Sequence, residues 1–375
     1  MVKTLFVFGT RPEAIKLCPV ILHLKRSPER FSVSVAVTGQ HRHMLDQVLA
    51  VFGVIPDYDL NIMTPGQTLA AATSRIVSAL EPVYASGRPD MVFVQGDTTT
   101  TLCGALAAFY ARIPVAHVEA GLRTGDMMQP FPEEMNRVVT GRLAALHLAA
   151  TRGARANLLE EGIAAESIYV TGNSGIDAVL HVRDRLESGE LTGGDWSFLD
   201  PGKRLIVVTA HRRESFGKGF ENICRALREL AERGDTEIVY PVHRNPNVMG
   251  PVQRNLAGVR NIHLTEPLDY VPFVDLMRRA WVLLTDSGGI QEEGPSLGKP
   301  IIVMREKTER PEAVDAGTVR LAGTDRERIV AEVARLLDDP SSRESMSRIH
   351  NPYGDGRASE RIEAATRAFF DRVNT

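Results

Sequence analysis

The chain has 375 residues, a formal net charge of −3, and side chains that are 24% charged and 43% hydrophobic. That length exceeds the roughly 250–300 residues at which single cores tend to split, so two domains are expected. The near-neutral balance argues against a nucleic-acid surface or a polybasic membrane anchor, so an anionic ligand must be met by local positive groups.

Three widely spaced cysteines, Cys18, Cys103 and Cys224, sit among apolar or helical neighbours, as reduced structural thiols of a cytoplasmic protein do. The first apolar stretch is too short for a signal peptide, and no run approaches the ~18 apolar residues of a membrane span.

In chain order, TLFVF, FSVSVAV, DMVFVQ, IPVAHV, ALHLAA and SIYVT read as strands of the first half. Helical patterns alternate with them: PEAIKLCPVILHLK, HRHMLDQVLAVF, TLAAATSRIVSALEPVYA, TTTTLCGALAAFYA and ARANLLEEG. Continuous apolar runs mark strands buried on both faces, hence a parallel sheet covered by helices. The second half repeats the plan with RLIVVTA, TEIVYPV, NIHLTEP, WVLLTD, PIIVM and TVRLAG between helices such as GFENICRALRELAER and RERIVAEVARLLDD. The linker is expected within or just before the Gly-rich stretch 187–204. The resulting expectation is an α/β fold of two doubly wound domains, spanning about 1–175 and 176–358, with their strand C-termini facing a central cleft. The C-terminal helix, 359–375, can dock on the first domain.

The strand ends carry the chemistry. GTRPEAIK follows the first strand: Thr10 and Glu13 fit a capping box, which leaves Arg11 and Lys16 as cations available to phosphate. Asp97 in GDTTTT suits either an N-cap or a site acid. Glu119 and Arg123 follow IPVAHV, and Glu133, Glu134 and Arg137 open the next helix. In the second half, His211 in HRRESFG and His243 in HRNPN stand at equivalent strand ends beside arginines.

TDSGGIQEEGPSLGKP ends a buried strand in a Ser-Gly-Gly turn, whose backbone N–H groups attract anions. Two acids, Glu292 and Glu293, come one helical turn later. A nucleoside diphosphate reconciles these features: Ser287, Gly288 and Gly289 suit the phosphates, and a carboxylate accepts both ribose hydroxyls. Neither a G-x-G-x-x-G after the first strand nor a P-loop is present, so no nicotinamide cofactor is expected. His41 and His43 lack a metal-ligand cluster around them, and no metal is expected.

FGTRPEAIK, TGQHRHMLDQV, GDTTTT, HVEAGLRTGD, FPEEMNR, HRRESFG, PVHRNPNV, TDSGGIQEEGPSLGKP, ERPEAV and NPYGDG resemble, in order and from residue 5 to about 360, the non-hydrolysing UDP-N-acetylglucosamine 2-epimerases. That resemblance implies two Rossmann-like domains in the GT-B arrangement, a cytoplasmic homodimer, and interconversion of UDP-GlcNAc and UDP-ManNAc for surface polysaccharides. It further implies elimination of UDP and its re-addition through a 2-acetamidoglucal. Motif by motif, it makes Asp97, Glu119, Glu133 and His211 the acid–base set. Arg11, His243, Ser287, Gly288, Gly289 and Glu293 become UDP contacts, with Lys16, Arg137 and Phe273 as further contributors and Glu292 structural. Some relatives are activated by UDP-GlcNAc at a second site, for which Gln40, His41 and His43 are the candidate positions. There, His43 departs from the family's QHRQ pattern, and Gly66 stands where an arginine would fall. The rival readings are a hydrolysing epimerase and a GT-B glycosyltransferase.

Overall fold

The computed structural model describes residues 1–39, 42–64, 66–348 and 350–373. The chain divides into two units, 1–178 with 354–375 and 179–353. Each is an α/β unit of the Rossmann-like, doubly wound kind.

The described strands of the first unit are β1 (Val2–Phe8), β2 (Phe31–Val37), β3 (Tyr58–Asp59), β4 (Met91–Gln95), β5 (Val115–Ala120), β6 (Leu146–Ala149) and β7 (Ile168–Val170). They form a parallel sheet in the order β3-β2-β1-β4-β5-β6-β7. Every residue of β4 and β5 is buried, as unbroken apolar runs require when helices cover both faces. Phe6 and Phe93 stack in that interior with ring centroids 4.6 Å apart.

The second unit contains β8 (Arg204–Thr209), β9 (Thr236–Pro241), β10 (Ile262–Thr265), β11 (Val282–Thr285), β12 (Ile301–Val303) and β13 (Val319–Leu321). Their order is β10-β9-β8-β11-β12-β13, also parallel. Helix Lys218–Glu232 shows why it packs on this sheet. Phe220, Ile223, Cys224, Leu227, Leu230 and Ala231 recur at helical spacing and are all buried. Strand order reverses between β1 and β4 and between β8 and β11. Adjacent connections leave to opposite faces there, and open α/β sheets bind ligands at such points.

The units divide at 178/179, close to the expected 175/176 and ahead of the Gly-rich stretch. The stretch 187–204 is part of the second unit, where Trp196 donates its indole N–H to buried Asp275 (2.8 Å) and Asp200 donates its backbone N–H to Glu237 (2.8 Å). Its glycines mark close approach: a Cβ on Gly193 would collide with the Asp275 carboxylate. The unit boundary falls within helix Ser174–Glu187. Helix Ala358–Val373 belongs to the first unit, with Ala358 and Ser359 donating backbone N–H groups to Asp177 and His23 meeting Glu363 at 2.7 Å. All three cysteines are free and buried, and burial raises the thiol pKa of Cys103 to about 11 and of Cys224 to about 12.

Candidate active site

In the first unit the site grows from the loops after β1, β4 and β5. Helix Arg11–Lys25 starts with Arg11, half-buried, and places Lys16 one turn further on. Its start is pinned by Glu13, which is 1% exposed and accepts backbone N–H groups from Gly9 (3.1 Å) and Thr10 (2.8 Å). The other oxygen of Glu13 accepts the Thr98 hydroxyl (2.7 Å) and the Thr101 hydroxyl (3.3 Å), so one buried carboxylate ties the loop carrying Arg11 to the loop carrying Asp97. Desolvation raises its pKa, against the opposing pull of these donors.

Asp97 is no N-cap. The cap of helix Thr99–Tyr110 is Thr98, whose hydroxyl accepts the Thr101 N–H. Asp97 is thereby left to pair with Arg137 at 2.5 Å, while Asn136 donates to the Asp97 carbonyl.

Glu119 lies where β5 loses register against β6, at φ +62°. A non-glycine residue in the left-handed region at a bulge is a local strain that re-aims a side chain. The carboxylate, largely buried, meets the Lys16 ammonium at 2.5 Å and also accepts from Gln95. Beneath the Asp97 turn, fully buried His117 donates Nε2–H to the Gly96 carbonyl (2.7 Å) and leaves Nδ1 without a partner. Burial, first of all, brings its pKa down to about 3, so the ring is neutral.

Of the two helix-opening acids, Glu134 is committed to structure. It is 1% exposed, accepts the Thr124 and Gly125 N–H groups, and stands 3.4 Å from Arg137. Glu133 is half-buried and has no hydrogen-bond or ion-pair partner among the described residues. Arg123 is spent on a bidentate pair with Glu161 (2.5 and 2.9 Å).

In the second unit β8, β9 and β11 deliver His211, His243 and the Ser287 turn to neighbouring strand ends. The two imidazoles stack, with centroids 5.5 Å apart and planes 22° apart. Burial lowers the His211 pKa; Asp286 opposes that, and His243 and Arg212 reinforce it. Ser287 caps the short helix Gly288–Glu293. A helix start leaves the N–H groups of Gly288 and Gly289 without intrahelical acceptors.

A Cβ on Gly288 would lie 2.9 Å from Cζ of Arg310, so glycine is what lets the guanidinium settle over this turn. Glu292 is held by Arg310 (2.8 Å) and accepts Asn351 on its carbonyl. Glu293 and Phe273 are half-buried; burial, first of all, and then the Glu293 charge push the pKa of Tyr270 up. Sequence reasoning gave no role to Asp286 or Arg310, although both lie within quoted motifs, TDSGG and ERPEAV. Gln40 and His41 lie outside the described residues, and His43 falls in helix Arg42–Phe52.

The family model described as UDP-N-acetylglucosamine 2-epimerase matches residues 23–367. A relative from Salmonella typhimurium named UDP-N-acetylglucosamine 2-epimerase is 58% identical over 372 residues, covering 98% of this chain and 99% of its own. The crystal structure of the Neisseria meningitidis UDP-GlcNAc 2-epimerase bound to UDP-GlcNAc superposes with a TM-score of 0.90 at 47% identity, covering 98% of this chain and 100% of that one. The Methanocaldococcus jannaschii enzyme, crystallised with UDP-GlcNAc and UDP, gives 0.79 at 34% identity, covering 98% and 99%.

Proposed function

This chain belongs to the UDP-N-acetylglucosamine 2-epimerase family, and we infer that it is the non-hydrolysing isomerase that interconverts UDP-GlcNAc and UDP-ManNAc, supplying polysaccharide synthesis. One observation carries the chemistry: Asp97 and Glu119 stand at adjacent strand ends, each held by a cation from another element.

C2 of the sugar is not next to a carbonyl, so its hydrogen is acidic only if a leaving group departs from C1. A base takes the C2 proton, the C2–H electrons form the C1=C2 double bond, and UDP leaves with the C1–O pair. Protonation of the 2-acetamidoglucal on the opposite face and return of UDP complete the inversion. No step of this elimination and re-addition is an oxidation, so this route needs no redox cofactor.

Asp97, Glu119 and Glu133 supply the acid–base groups for the sugar. His211 and Arg11, with the Gly288–Gly289 turn, stabilise the departing diphosphate. Lys16 and Arg137 hold the acids. Ser287, His243 and Arg310 bind phosphate, Glu293 the ribose, and Phe273 the base. Gln40, His41 and His43 are the candidate regulatory positions. The chain works as a homodimer in the cytoplasm in this reading; no helix among the described residues is long and apolar enough to cross a membrane.

Proton NMR of UDP-GlcNAc with the enzyme in deuterium oxide tests the mechanism. Deuterium should enter at C2 of both epimers without accumulation of UDP. Retention of the C2 hydrogen overturns elimination, accumulating UDP marks a hydrolysing epimerase, and no turnover of the sugar nucleotide alone marks a transferase.

A further inference from the structure

Asp286 directly follows β11 and is 0% exposed. Its Oδ2 accepts the backbone N–H groups of His211 (2.6 Å) and Arg212 (2.7 Å), which locks the β8 loop onto the β11 turn. Its Oδ1 makes no hydrogen bond and stands 3.4 Å from Nδ1 of His211. An ionised carboxylate can only accept, so its charge favours the proton on the imidazole nitrogen that faces it. A buried carboxylate oxygen with no other donor makes the reverse arrangement costly, because two lone pairs would then oppose each other away from water.

We propose that Asp286 is a positioning residue for His211, holding its proton on Nδ1 so that Nε2 is the nitrogen offered to the departing diphosphate. The proposal deepens the reading above and rests on His211 being in the active site. The groups facing His211 fit this assignment. Asp286 approaches from β11, the His243 ring from the β9 end, and Arg212 from the same loop.

His243 is oriented differently. Its Nδ1 accepts the Asn245 N–H (3.1 Å), so its own proton sits on Nε2. The stacked pair therefore presents one fixed donor and one nitrogen that can take up a proton. An arriving diphosphate adds negative charge beside His211 and favours its imidazolium form, with Asp286 anchoring the other nitrogen. The proton on Nε2 is then shared with the leaving phosphate oxygen as the C1–O bond breaks, and is retained when UDP returns.

Nitrogen-detected NMR of 15N-histidine-labelled protein reads the tautomer directly, without turnover. In the wild type, His211 should be the Nδ1–H tautomer. Asp286→Asn can keep its carbonyl on the two backbone N–H groups, but then aims an amide N–H at Nδ1 and forces the Nε2–H tautomer. It should lower kcat by about 10²-fold or more, because the ring loses the carboxylate that anchors its imidazolium charge opposite the departing diphosphate. The His211 titration midpoint should fall, and UDP binding, which favours the imidazolium, should weaken with it. A wild-type Nε2–H tautomer, or near-wild-type kcat in Asp286→Asn, overturns the proposal. If the tautomer is as stated but UDP-GlcNAc is not epimerised, the reaction assignment fails and the Asp286–His211 geometry stands.

Discussion

The Lys16 ammonium and the Glu119 carboxylate stand 2.5 Å apart, joining helix Arg11–Lys25 to the bulge that ends β5. Glu119 is otherwise largely buried, so this cation is a principal support for its charge. In Lys16→Met, the acid limb of the kcat–pH profile should move to higher pH, because loss of a neighbouring cation favours the protonated carboxyl. An acid limb at its wild-type position would show that Glu119 does not act in its ionised form.

The acids should separate from the nucleotide contacts in kinetics. Asp97→Asn, Glu119→Gln, Glu133→Gln and His211→Asn are each expected to lower kcat by about 10²-fold or more, the scale of acid–base and electrostatic groups. Calorimetry should find UDP affinity much less affected in the three carboxylate variants. A near-wild-type rate removes that residue from the catalytic set.

Glu293→Ala should weaken UDP binding by about 1.5–3 kcal/mol, the range for a hydrogen bond involving a charged group. The difference should largely disappear with a 2′,3′-dideoxyribose analogue. An equal loss with both ligands would make Glu293 structural, as Glu292 is through Arg310.

His117 should make the first unit acid-sensitive. Its folded pKa of about 3 lies below the unfolded value of about 6.5. The unfolded chain therefore takes up a proton that the folded chain refuses. The stability is complete above about pH 6.5 and is lost as pH falls towards 3, by at most ~1.4 kcal/mol per pH unit. Between pH 6.5 and 5 the wild type should lose about 2 kcal/mol more than His117→Gln, whose amide can still donate to Gly96. Amide exchange of β5, corrected for its intrinsic pH dependence, measures this. Equal losses in both proteins would refute it.

Regulation should depart from that of activated relatives. Gly66, at φ +72° with open space where a Cβ would be, supplies no guanidinium at the position where the family resemblance implies an activator-binding arginine. Pure UDP-ManNAc should be converted without a lag, and trace UDP-GlcNAc should accelerate it little. A long lag abolished by trace UDP-GlcNAc would show that activation persists through other contacts.

Local signals carried the fold. Apolar runs such as LFVF in β1 and VFV in β4 are continuous along the chain and mark strands covered on both faces, and the turn residues after them sit at strand ends wherever the strands pair. The sheet alternation and the strand-end positions of Arg11, Asp97, His211 and Ser287 were legible for that reason.

Which charged groups are committed and which are left for chemistry was decided by tertiary structure. Glu133 and Glu134 are neighbours of identical type, and so are Glu292 and Glu293. Only the folded chain shows Glu134 bound to two backbone N–H groups and Glu292 to a guanidinium. Asp97 ceased to be a capping candidate because Thr98 caps the helix and Arg137, 40 residues on, claims the carboxylate. Glu119 meets Lys16 across 103 residues, and Asp286 meets His211 across 75. Period and propensity report a residue's neighbours along the chain. Ion pairing and desolvation depend on distance and burial in space, which the packing of separate strands and helices creates.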